Sequence, residues 1–272
     1  MPKAMEQFYI DSHVHVDLYD EQERDKLLMN AFAEGVAAVV AVSMHRPSAL
    51  VNHELAIRYK GRVHPAYGFH PEQSIPDEDE LGKLFAWIRL CHEAGEAFAI
   101  GEVGLPYYMR IEAEEAEPKV PFDEKPYLVL LERFIALAAE LDRPIILHAV
   151  YEDANKACDM LEKHGVHKAH FHWFKGSADV IARMAASGYM VSITPDVAYE
   201  EEIRQLVERY PLEQLMVETD GPWPFEGPYA GQPTRPAMAA DAARHIADIK
   251  QLPAASVAER LLANTRRFYG IS

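Results

Sequence analysis

Two cysteines, Cys91 and Cys158, are all that 272 residues contain. That is too few for a disulfide framework, and it fits a reducing compartment, the cytoplasm. No apolar run approaches the roughly 20 residues that span a bilayer. The longest, VAAVVAV at 36–42, has the length of a strand. The opening MPKAMEQFYI lacks the apolar core of a secretion signal. No glycine-rich phosphate loop follows the first apolar run, which removes the main argument for an open dinucleotide-binding sheet. Positive charge is also scarce: 27 Lys+Arg stand against 43 Asp+Glu, a formal net charge of −16. So acidic a chain is poorly set up for sequence-independent attraction to a polyanion, which disfavours nucleic acid as a partner without forbidding it. No linker divides the chain, which reads as one domain over 1–272, and nothing marks a membrane or an obligate protein partner.

What is present is alternation. Short apolar runs at 8–14, 36–43, 62–69, 97–103, 144–148, 168–173, 189–193 and 214–218 are separated by helix-like segments. These are 21–34, 47–59, 78–94, 123–141, 151–164, 177–187, 200–209 and 236–250, with a further helix at 254–268. Gly35, Gly61, Gly95, Gly165 and Gly188 close several of the segments, as helix ends favour. Eight strand–helix units predict an α/β fold, a (β/α)8 TIM-type barrel with an additional C-terminal helix. The acidic, proline-bearing stretch 104–122 reads as one long irregular connection over the C-terminal mouth of the barrel.

The thirteen histidines sort themselves on this frame. His13 and His15 end the first strand, His70 the third, Glu102 the fourth, His148 the fifth and His172 the sixth, while Asp220 follows the eighth. In a barrel these ends meet on one rim, where catalytic groups collect. Each has a plainer reading alone: Glu102 as half of a buried ion pair, His148 as a hydrogen-bonded core residue, Asp220 as a turn residue before Gly221. Four of these imidazoles and the two carboxylates suffice for two divalent ions sharing Glu102, and so histidine-rich a set suits zinc, manganese or iron better than magnesium. Asp11, one step below His13 on the same strand face, reads as an orienter of a ligand histidine. Lys175 and Arg235 lie near the rim, where they meet either an anionic substrate or solvent. Tyr107, Tyr108, Trp173 and Trp223 could wall an apolar pocket.

The motifs DSHVHVD (11–17), YGFHP (67–71), GEVGL (101–105), PIILH (144–148), FHWFKG (171–176) and ETDGP (218–222) resemble, in order, those of the TatD family of metal-dependent hydrolases. The closing NTRRFYG (264–270) is similar too. The resemblance implies His13, His15, Glu102 and Asp220 around one metal, and Glu102, His148 and His172 around a second. His70 would then sit beside the scissile group. It also implies departures where substrate is met: Pro106 where the family carries Asp, Val150 where it often carries Arg, and Thr234 ahead of Arg235-Pro236 where it carries Asn.

The mechanism expected is two-metal hydrolysis, in which a bridging water of lowered pKa attacks and Asp220 accepts its proton. The resemblance makes a phosphodiesterase or deoxyribonuclease the first expectation. The acidity and the three departures leave a second open, an amidohydrolase or lactonase acting on a small molecule that is not nucleic acid.

Overall fold

The computed structural model describes residues 9–272. Phe8, counted in the expected first strand, and residues 1–8 of the segment read for a secretion signal lie outside the described residues. Eight strands form one parallel sheet in sequence order: β1 (Tyr9–Val14), β2 (Val36–Ala41), β3 (Val63–Tyr67), β4 (Ala99–Gly104), β5 (Ile145–His148), β6 (Ala169–Phe171), β7 (Met190–Ile193) and β8 (Leu215–Val217). The helices are α1 (Glu21–Ala33), α2 (Arg46–Arg58), α3 (Glu78–Glu93), α4 (Tyr107–Glu115), α5 (Lys125–Leu141), α6 (Asp153–His164), α7 (Ala178–Ala186), α8 (Glu201–Arg209), α9 (Ala239–Lys250) and α10 (Ala254–Tyr269). This is the (β/α)8 architecture with an extra C-terminal helix.

The strands read as apolar runs because both faces are covered. Ile10, Ala38, Val40, Ala66, Ala99 and Ile146 pack with Ile271 just beyond α10. The opposite faces pack against helices, with Leu147, Phe171, Val191 and Ile193 joining Leu131, Phe134, Leu161 and Leu206 in one cluster. Helix starts are set by local acceptors: Asp20 takes the Gln22 N–H, Asp77 the Glu80 N–H and Ser177 the Val180 N–H. His45, near the rim in sequence, does the same for α2 through Ser48.

The first and last strands meet along a hydrogen-bonded seam. Asp220 N–H donates to the His13 carbonyl at 2.9 Å, and His15 N–H donates to the Gly221 carbonyl at 2.8 Å. Asp11 is fully buried there, accepting from Thr219 N–H at 3.0 Å and Thr219 O–H at 2.5 Å. The segments that bear His13, His15 and Asp220 are therefore the ones that close the barrel.

One expectation is corrected. The stretch 104–122 is not irregular throughout, since residues 107–115 form α4. Tyr-Tyr-Met-Arg-Ile-Glu-Ala-Glu-Glu has adequate helix propensity. What is missing nearby is a start signal: the N-cap position is Pro106, which caps nothing with its side chain. The acceptor comes from Glu72, 36 residues earlier. Among the described residues, no helix is long and apolar enough to cross a membrane.

Candidate metal centre

Close backbone approach is the first requirement of the site, and two glycines meet it. A Cβ on Gly104 would stand 1.8 Å from the His148 carbonyl oxygen, and one on Gly68 would stand 2.6 Å from the Glu102 carbonyl oxygen. A side chain at Gly104 would push apart β4 and β5, which carry Glu102 and His148, and one at Gly68 would push the end of β3 away from β4.

At the C-terminal ends of the strands, six predicted ligands converge. His13 Nε2 lies 3.1 Å from Glu102 Oε2 and 3.3 Å from Asp220 Oδ1, and His15 Nε2 lies 3.2 and 3.4 Å from the same two oxygens. A tetrahedral ion with bonds of about 2.0–2.1 Å separates its donors by about 3.3–3.4 Å, so these spacings match the edges of such a site. The other carboxylate oxygen, Glu102 Oε1, faces a second group: His172 Nε2 at 2.6 Å, His148 Nδ1 at 3.1 Å and His70 Nε2 at 3.3 Å. His148 Nδ1 and His172 Nε2 are 3.3 Å apart. Glu102 thus offers one oxygen to each group.

Burial decides what such a cluster needs. His13, His15 and Glu102 are fully buried, and Asp220 is 3 % exposed. His13 Nε2, His15 Nε2, Glu102 Oε2 and Asp220 Oδ1 have no partner in hydrogen-bonding geometry. Leaving several buried polar atoms unpaired is costly, and an ion that accepts all four lone pairs removes the cost. The residues present fit a divalent metal.

The electrostatics point the same way. Burial opposes ionisation of Glu102, yet His172, His70 and His13 outweigh it and hold the carboxyl well below its ordinary range. Burial likewise opposes protonation of His15 and His148, but Asp220 and Glu102 push His15 up to about 9, and Glu102 and Glu72 push His148 up to about 9. His172 goes the other way, to about 4, because burial dominates. Without a metal, protons on some imidazoles compensate the carboxylates, and an ion must displace them.

A second tier lies below the ligands. His170, two residues before His172, bonds the Tyr269 hydroxyl at 2.6 Å and Ser192 Oγ at 2.5 Å. Ser192 donates to Glu218 Oε2 at 2.5 Å, and Glu218 Oε1 accepts the Trp173 N–H at 2.7 Å. Burial raises the Glu218 carboxyl to about 8. Glu218 stands in the sequence as the last residue of an expected strand and the first of ETDGP, and nothing local marks its pairing with Ser192.

The remaining expected residues divide. Asp11 touches the His13 backbone N–H at 3.3 Å and Thr219, so it holds the ends of β1 and β8 rather than an imidazole ring. Lys175 lines the cavity above the centre, 4.0 Å from Glu200. Tyr107 does not line it; its ring packs on Tyr151 at 4.9 Å, and its neighbour Tyr108 faces the cavity. Arg235 is turned away, paired with Glu34 beside another depression lined by Leu27 and Ala237. The cavity measures about 410 Å³, and its walls are Tyr108, Val150, Trp173 and Trp223 over His70, His148, His172 and Asp220. The departures build these walls: Val150 is in the lining, and Thr234 Oγ1 donates to the Trp223 carbonyl at 2.5 Å. Trp173 is fixed through its indole N–H, which donates to Asp196 at 2.6 Å. Glu72, which the sequence reading passed over, also lines the cavity; its only local sign was an acid two residues after His70.

Comparison with known proteins agrees with this geometry. Residues 10–270 match the family described as TatD related DNase. A metal-dependent hydrolase of Haemophilus influenzae is 36 % identical over 259 residues, covering 95 % of this chain and 98 % of that one. Human deoxyribonuclease TATDN3 is 29 % identical over 266 residues, covering 96 % and 94 %. The crystal structure of YJJV, a TatD homologue from Escherichia coli, superposes with a TM-score of 0.84 at 25 % identity, covering 98 % of this chain and all of that one. The ordered motifs, the barrel and the converging donor set have one reading: the chain belongs to the TatD family of metal-dependent hydrolases.

Proposed function

We propose that this hydrolase works with two divalent ions, one held by His13, His15, Glu102 and Asp220 and the other by Glu102, His148 and His172, and that its substrate is a phosphodiester. The observation that carries the reading is Glu102, a buried carboxylate with one oxygen toward each donor group. When bound, such ions supply Lewis acidity and an acidified water at neutral pH. The histidine-rich donor set favours zinc, manganese or iron over magnesium.

The chain's own groups do the rest. Asp220 lies at the floor of the cavity, and against the effect of burial His13 and His15 hold its carboxyl below the usual carboxylate range, so it stays ionised; its place beside the donors, not that shift, puts it in reach of the attacking water's proton. His70 is lowered by burial, so it is neutral and can donate one hydrogen bond to the scissile group. Trp173, Trp223 and Tyr108 line the cavity and present rings to a base or another planar group. Among the described residues, Lys175 is the one lysine or arginine in the lining and is placed to meet an anionic oxygen.

The human relative is named a deoxyribonuclease, which supports a phosphodiester. The second reading, hydrolysis of a small amide or lactone, is favoured by the mainly aromatic and aliphatic walls above the donors and by the net charge of −16. One experiment separates them. Purified protein is assayed for bound metal and then, with and without added salt, on short single-stranded DNA, a phosphodiester dye and a lactone. Activity on DNA that falls steeply as salt rises fits the first reading. Lactone turnover indifferent to salt, with no phosphodiester cleavage, overturns it.

A further inference from the structure

We infer that Glu72 is a positioning residue that couples the Glu102–His148–His172 donor set to the seating of α4 and so to the cavity wall. The inference rests on that donor set holding an ion. Glu72 lies in the loop after β3, and its side chain is 15 % exposed. Its Oε1 accepts the Tyr108 N–H at 2.8 Å, and its Oε2 accepts the Met109 N–H at 2.8 Å. The same Oε1 is 3.3 Å from His148 Nε2. The backbone is fixed as well, since Glu72 N–H donates to His70 Nδ1 at 3.1 Å. One carboxylate therefore touches an expected metal ligand and starts a helix.

Each contact has a chemical consequence. His148 directs Nδ1 at Glu102 and His172, and Nε2 at Glu72. A carboxylate at Nε2 favours the tautomer with its proton there, which leaves the Nδ1 lone pair free for an ion and makes it more basic. At the helix, Tyr108 and Met109 are first-turn amides with no intrahelical acceptor, and Pro106 supplies none. A negative charge also complements the positive end of α4. Only the anchored helix presents Tyr108 to the cavity whose walls include Val150, Trp173 and Trp223. Ion binding that orders His148 thereby tightens the grip on α4, and by reciprocity a seated α4 strengthens ion binding. A substrate larger than the cavity must displace α4, and so works against this grip.

The test uses zinc alone as probe, with binding measured by titration and amide exchange followed at Tyr108 and Met109. In the wild-type chain, zinc should slow both amides by about tenfold or more. In Glu72→Ala, the second zinc should bind about 10–100-fold more weakly, and exchange at both amides should be fast with or without zinc. Glu72→Gln keeps the shape and one acceptor oxygen, so it should fall between the two and guards against misfolding of the alanine variant. A helix cap with no role at the centre would leave zinc affinity unchanged. A partner of His148 with no role at α4 would leave the exchange rates unchanged. Either result overturns the inference while leaving the two-ion reading intact. A wild-type chain that takes up fewer than two zinc ions overturns both.

Discussion

Among the described residues, two clusters combine metal-ligating residue types, and they differ in what they lack. At the barrel mouth, His13, His15, Glu102 and Asp220 are buried, with facing atoms that find no hydrogen-bond partner. Between α2 and α3, His53, Cys91 and Glu96 also lie within reach of a single ion. There the needs are already met: His53 Nδ1 is 3.2 Å from the Tyr67 hydroxyl and 3.1 Å from Glu96. Burial, reinforced by Glu96, pushes the Cys91 thiol up to about 12, so it holds its proton. His53 and Glu96 also keep some contact with water, at 24 % and 33 % side-chain exposure. Residue type and proximity are common to both clusters. The unmet, desolvated lone pair is what separates a site that calls for an ion from a polar patch that does not.

The sharpest way to break this contrast is Glu102→Ala, which takes from both donor groups the oxygen they share. Activity should fall by more than about 10³-fold, with bound metal lost as measured by elemental analysis. An active, metal-free variant would sink the proposed function. Next comes the seam beneath the ligands. Asp11→Ala strands the Thr219 N–H and O–H in a fully buried position and should cost about 1–3 kcal/mol in denaturant unfolding. Because the same seam places Asp220, metal affinity should drop as well, by about 10–100-fold.

The pH response follows from the raised imidazoles. Their folded pKa of about 9 lies above the ordinary 6.5. In the metal-free protein the stability they contribute is therefore full below about pH 6.5 and lost as pH rises through about 9. A metal competes for the same lone pairs, so the rise in Tm on adding zinc should be larger near pH 8.5 than near pH 6.5. A gain independent of pH would mean that no protons are displaced. The smallest effect is expected at the other cluster: His53→Ala should leave metal content and turnover unchanged and cost about 1 kcal/mol of stability at most. Loss of bound metal in that variant would erase the distinction between the two clusters.

The barrel was legible in the sequence because its strands are buried on both faces and its helices start and stop on local signals such as Asp20, Asp77 and Gly165. The donor set was legible because strand ends in this architecture share a rim, so that residues remote in sequence could be grouped by position alone. What escaped was pairing over distance. Helix α4 was hidden because its start signal is Glu72, on another loop. Arg235 looked like a rim residue, but its partner Glu34 lies 201 residues away and draws it outward. Tyr107 and Tyr108 read alike as pocket walls because, with no helix recognised there, no phase tells which ring faces inward. In the tier below, His170 is legible as an inward residue one step under His172 on the same strand face, but its partners Ser192, Glu218 and Tyr269, on other elements, leave no periodic trace.

The seam between β1 and β8 has a consequence for how activity comes into being. Asp11 reaches Thr219 at a sequence separation of 208, and Asp220 is held against His13 by the same seam. During synthesis from the ribosome, the imidazoles of the first strand emerge long before the carboxylate that completes their group. On the two-ion reading proposed above, the group of His13 and His15 stays incomplete until the eighth strand arrives, so a half-made chain should be inactive.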